Sequence, residues 1–143
     1  MITKLSELAE KAKNSGKKTR IAVAVAEDSN TINAILQAIK DDFIYPVLIG
    51  NETKIKELLT SDIVFNQVEI KNITEPAQAV KEAVRMVRNN EADVLMKGLV
   101  GTDTFLKAVL DKEKGLLPTK AVMSYTCALE IPKYHKLLFV SDT

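Results

Sequence analysis

Ile21-Ala22-Val23-Ala24-Val25-Ala26, the run IAVAVA, decides the fold class. It is apolar at every position and built from small and β-branched residues, as in a short strand covered on both faces. Strands of that kind belong to parallel sheets. Upstream, Leu5, Leu8, Ala9 and Ala12 share one helical face, and Gly16 can close that helix in a left-handed conformation. Downstream, Ile32, Ile35, Leu36 and Ile39 repeat the helical spacing and lead to a strand at 45–49, beside the breaker Pro46. Asn51 can cap a short helix carrying Ile55, Leu58 and Leu59, and 68–70 is a weaker strand candidate. Thr74 or Glu75, followed by Pro76, opens a helix whose Val80, Ala83, Val84 and Val87 share a face, and Asn89-Asn90 ends it. A buried strand at 92–96, a loop at 98–102 and a helix with Phe105, Leu106, Val109 and Leu110 inward complete the alternation.

Strands and helices that alternate with short connections predict a three-layer α/β/α fold with a mostly parallel sheet. The end of the chain departs from this pattern. Residues 121–129 and 136–140 read as two strands joined without a helix, which predicts an antiparallel pair near the C-terminus. The 143 residues suit a single α/β domain, 1–143, large enough to bury a core without disulfides or a structural metal.

Composition narrows the function. Twenty Lys+Arg against 19 Asp+Glu leave a net charge of +1, and a nucleic-acid partner would call for a basic surplus or stripe. No apolar run approaches the roughly 20 residues that cross a bilayer, and the first twenty residues lack a signal-peptide apolar block. Cys127 is the single cysteine, so no internal disulfide can form, and a cytoplasmic protein is the expectation. With one His and one Cys, zinc has no support.

In open parallel sheets ligands bind beyond the carboxyl ends of strands, where helix N-termini present free N–H groups. Three segments qualify. Glu27-Asp28-Ser29 offers carboxylates to a ligand hydroxyl or amine, although Asp28 or Ser29 is equally an ordinary helix cap. The segment from Met96 to Thr104 supplies Lys97 as a cation, Gly98 and Gly101 for close backbone approach, and Thr102 as a hydroxyl at the helix start. The Thr102 hydroxyl sits where the N-cap of that helix is expected, and the chemistry suits phosphate, though neither the Walker A nor the G-x-G-x-x-G spacing is present and a structural turn reads equally well. Ser141-Asp142-Thr143 follows the last strand, where a site or a frayed tail would fall. His135 reads as solvent-exposed in a turn, and Cys127 as a small buried hydrophobe.

The segments AVAEDSNTINAI (24–35), YPVLIG (45–50), ADVLMKGLVGTDTFLKAVL (92–110) and MSYTCALEIPKYHKLLFVSDT (123–143) together resemble the amino-terminal part of the phosphate acetyltransferase/phosphate butyryltransferase family. The Met96-Lys97-Gly98 form is closer to the butyryl branch. The resemblance implies reversible acyl transfer between a coenzyme A thioester, used as substrate, and inorganic phosphate, with no covalently bound cofactor. It makes Lys97, Gly98, Gly101 and Thr102 candidates for the phosphate or acyl end, with Lys107 as cationic support. Ser141 and Asp142 correspond to the family's S/T-D segment at the active cleft. Family members are longer and continue into a second α/β region, so the chain reads as a domain or fragment of such an acyltransferase. It is then either active, conceivably through a cleft assembled in a homo-oligomer, or a catalytically incomplete ligand-binding domain. A phosphate acyltransferase acting on acyl carrier protein is the alternative enzyme reading.

Overall fold

A computed structural model describes residues 2–59 and 66–141, and these form two compact units. One unit spans Lys18–Thr119. The other is made of the described residues on either side of it.

In the first unit the elements run β1 (Thr19–Ala24), α2 (Ser29–Lys40), β2 (Ile44–Gly50), α3 (Glu52–Leu58), β3 (Glu69–Asn72), α4 (Pro76–Arg88), β4 (Val94–Lys97) and α5 (Thr102–Val109). All four strands are parallel, in the order β3-β2-β1-β4. The pleat sends alternate residues of β1 to opposite faces. Ala22 and Ala24 join Val47, Ile49, Ala79, Val80, Ala83 and Val84 under α4, with Phe105 of α5 packed alongside. Val23 joins Leu48, Ile32, Ile35 and Ile55 under α2 and α3. The result is the expected three layers, with alanines of β1 and α4 meeting in the buried cluster between them.

The local punctuation is chemical. Asp28 caps α2 by accepting the Thr31 N–H at 2.9 Å, and Asn51 caps α3 by accepting the Lys54 N–H at 3.1 Å. The Glu75 carboxylate accepts the Ala77 and Gln78 N–H groups ahead of Pro76, and Asn90 leaves α4 at a φ of 58°. Strand β2 contains the whole of the expected 45–49 range, Pro46 included. Pairing with β3 begins only at Val47, so Pro46 has a ladder neighbour on one side alone, and the missing N–H is tolerated there.

The second unit contains α1 (Leu5–Lys13) and the antiparallel pair β5 (Thr126–Leu129) and β6 (Leu138–Ser141), a two-stranded sheet of its own. Strand β5 is shorter than the sequence suggests because 121–125 adopt no strand, and β6 begins at Leu138 rather than at 136. Helix α1 is amphipathic, but none of its residues is buried. Gly16 is left-handed at a φ of 68°, two residues beyond the cap Asn14. The Leu5 N–H donates to the Glu130 carboxylate at 2.9 Å. No helix among the described residues is long and apolar enough to cross a membrane.

Candidate functional site

Strand β1 leads through α2 to β2 on one side, whereas β4 lies on its other side after the chain has crossed the sheet through α4. The carboxyl ends of β1 and β4 therefore form the switch point at which open α/β sheets hold ligands. Two segments meet there, residues 25–28 after β1 and 97–102 after β4.

Their junction is built by hydrogen bonds. Gly98 N–H donates to the Ala24 carbonyl at 2.9 Å and Leu99 N–H to the Val25 carbonyl at 2.8 Å. A Cβ at position 98 would lie 2.3 Å from the Val25 oxygen, so only glycine fits. Gly98 thus spends its N–H and its missing side chain on packing against β1. Val25 itself is left-handed, with a φ of 57°, costly for a β-branched residue, and it is buried.

Beyond Gly98 the loop changes character. Val100 N–H turns back to the Gly98 carbonyl at 2.9 Å, and Gly101 is the N-cap of α5, with no side-chain cap hydrogen bond. Thr102 is therefore the first helical residue, one place later than the cap its hydroxyl suggests. Thr102 and Asp103 are exposed, and N–H groups of a first helical turn have no carbonyl partner within their own helix. Lys97 is exposed, with its ammonium 3.5 Å from the Gly98 carbonyl. Its charge reaches Asp28: burial works against that carboxylate, but bonds from the Thr31 hydroxyl at 2.6 Å and backbone N–H groups outweigh it. With Lys97 nearby, the Asp28 pKa falls below its ordinary value.

Glu27, from the same segment, serves the fold. Its side chain is only 8% exposed and accepts the Asn51 N–H at 2.8 Å and the Lys54 ammonium at 2.9 Å. Burial pushes its pKa up, these two donors overcome that, and the net direction is down. Lys54 carries no signal in the sequence, because it lies 27 residues from its partner.

Lys107 faces elsewhere. With Lys81, Arg88 and Lys114 it lines a groove of about 1060 Å³ between α4 and α5, whose acidic members include Glu82 and Asp103. Arg88 donates to the Glu113 carbonyl, and Arg85 is held by Glu82 at 2.7 Å and Glu91 at 2.5 Å. In the second unit, the exposed Ser141 hydroxyl donates to the Tyr125 carbonyl at 2.8 Å. Asp142 and Thr143 lie outside the described residues. Cys127 is half-buried rather than fully buried, and His135 is exposed beside the Tyr134 ring. Among the described residues no three His, Cys, Asp or Glu side chains gather in a way that could hold a metal ion.

No family model matches the chain. It is 38% identical over 124 residues to a phosphate butyryltransferase of Clostridium beijerinckii, covering 86% of this chain and 41% of that protein. It is 41% identical over 140 residues to a probable phosphate butyryltransferase of Bacillus subtilis, covering 98% and 46%. To a phosphate acetyltransferase of Thermotoga maritima it is 34% identical over 142 residues, covering 96% and 46%. The chain thus spans less than half the length of these relatives. A crystal structure of a branched-chain phosphotransacylase from Enterococcus faecalis shares the fold, with a TM-score of 0.71 and 23% identity over 87% of this chain and 42% of that one.

Proposed function

We propose that this chain, which belongs to the phosphate acetyltransferase/phosphate butyryltransferase family, carries part of the machinery that transfers an acyl group between coenzyme A and inorganic phosphate. The observation that carries this reading is the Lys97–Thr102 loop at the β1/β4 switch point, in a chain 38% and 41% identical to two butyryltransferases. The butyryl relatives exceed the 34% of the acetyl relative, which favours a short chain longer than acetyl.

In the reaction a phosphate oxygen attacks the thioester carbonyl carbon. The new C–O bond gives a tetrahedral oxyanion, and its collapse breaks the C–S bond and releases the thiolate, which takes up a proton. The protein must hold two anions together and stabilise the oxyanion with fixed donors. Lys97 supplies a mobile positive charge, and Thr102 with its neighbours supplies backbone N–H groups at the positive end of α5. Gly98 fixes the loop, and Gly101 leaves the helix start uncovered. Lys107 adds charge to the α4–α5 groove, and Ser141 and Asp142 are the candidates for acting on the reacting acyl group. Cys127 as the lone cysteine suits a reducing compartment, and we place the protein in the cytoplasm.

Mixing the protein with butyryl-CoA and phosphate and following free thiol tests the reading. Phosphate-dependent release is expected, and its absence at high protein concentration overturns catalysis by this chain. The coverage of under half of each relative favours a second reading, a folded domain that binds ligand without turnover. A turnover number equal to that of a complete relative would exclude it.

A further inference from the structure

Leu99 is 59% exposed in the middle of the switch-point loop. Its neighbours Gly98 and Val100 are half-buried, while Lys97 is exposed. The exposure does not come from a loose backbone: the Leu99 N–H is held by the Val25 carbonyl at 2.8 Å, and the Val100 N–H by the Gly98 carbonyl at 2.9 Å. A large apolar side chain thus stands in solvent on a hydrogen-bonded backbone, at the switch point where open α/β sheets hold ligands. Leaving a leucine there forgoes burial that an apolar ligand group could supply.

The chemistry on either side indicates the partner. Leu99 is two residues from Lys97 and three from Thr102, so its Cα is within about 7 Å of the first and 11 Å of the second. A cation, an apolar side chain and exposed helix N–H groups therefore follow one another along a single loop. A ligand that joins a phosphate to a short hydrocarbon matches that sequence. Resting on the acyl-transfer reading, we propose that Leu99 contacts the hydrocarbon of the acyl group and sets the chain length that the site prefers.

The test uses Leu99→Ala and Leu99→Met in the natural protein that carries this chain. The readout is kcat/KM for acetyl-, propionyl-, butyryl- and valeryl-CoA at saturating phosphate, with KM for phosphate and the thermal midpoint measured beside it. One or two methylenes of lost contact change discrimination by about tenfold or more. Leu99→Ala is expected to lower the butyryl-to-acetyl ratio by about tenfold while KM for phosphate holds, and Leu99→Met is expected to restore the ratio. Donor ratios unchanged in both variants overturn the inference. A fallen thermal midpoint with intact ratios also overturns it, since the side chain would then be covered by protein. A wild-type protein that releases no thiol from any donor overturns the acyl-transfer reading itself, and this inference with it.

Discussion

Gly98 and Val25 touch backbone to backbone: a Cβ on Gly98 would stand 2.3 Å from the Val25 carbonyl oxygen, and the neighbouring Leu99 N–H is bonded to that same oxygen at 2.8 Å. Strand β1 thereby fixes the loop that follows β4. Gly98→Ala must push two hydrogen-bonded segments apart, with an expected loss of about 2–4 kcal/mol in urea denaturation. Gly101→Ala is the contrast. There the close atom is the Asp103 carboxylate, 2.5 Å away on a side chain that can rotate, so the loss should stay within about 1 kcal/mol. Equal losses at both positions would refute the packing argument.

The backbone donor at Thr102 can be removed together with its hydroxyl, and Thr102→Val, which removes the hydroxyl alone, separates the two. Thr102 is the first helical residue, where proline is tolerated, and Gly101 has the extended ψ of 139° that a residue before proline needs. Thr102→Pro should leave stability within about 1 kcal/mol and raise KM for phosphate by about tenfold, as expected for a lost charge-assisted bond. Lys97→Ala, at an exposed position, should act in the same direction. Unchanged phosphate kinetics in both variants would make the loop structural only.

Glu27→Ala leaves the Asn51 N–H and the Lys54 ammonium without their buried acceptor, at a cost of about 1–3 kcal/mol. Glu27→Gln keeps one acceptor oxygen and should recover part of that loss. Comparing the two by chemical denaturation separates the hydrogen bond from the charge.

Acid should unfold the sheet unit partly through Glu82. The Arg85 guanidinium at 2.7 Å, with Lys71 at 3.0 Å, holds its pKa at about 2 against burial, below an ordinary value of 4.5. A depressed folded pKa stabilises the protein above the unfolded value, and the contribution fades as pH falls from about 4.5 towards about 2. With its side chain 21% exposed, solvent screening leaves about 1–2 kcal/mol. Glu82→Gln should flatten the pH dependence of stability in that window, and an unaltered acid limb would contradict the assignment.

What could be read in the sequence was local. The caps Asp28, Asn51 and Glu75, the apolar faces of α2 and α4 and the buried strand IAVAVA act through neighbours a few residues away, and their residue types announce them. The order β3-β2-β1-β4 and the pair Glu27–Lys54 depend on partners far along the chain. Thr102 misled by one residue because Gly101 caps α5 without a side chain. Gly98 showed that room was needed but not for what: the space is filled by the end of β1. The exposed Leu99 had no signature of its own, since the loop at 98–102 says nothing of which way each of its side chains faces.

The bond from Leu5 to Glu130 joins residues separated by 125 positions, while the Lys18–Thr119 unit finds all its strand partners within itself. During synthesis the four-stranded sheet can complete before β5 and β6 have left the ribosome, whereas α1 must wait for a partner made 125 residues later. Closing so long a loop is entropically expensive and rewarded by few buried contacts. Helix α1 is therefore made before the sheet unit and ordered after it, and the Leu5–Glu130 pairing should be the first structure given up under mild denaturant.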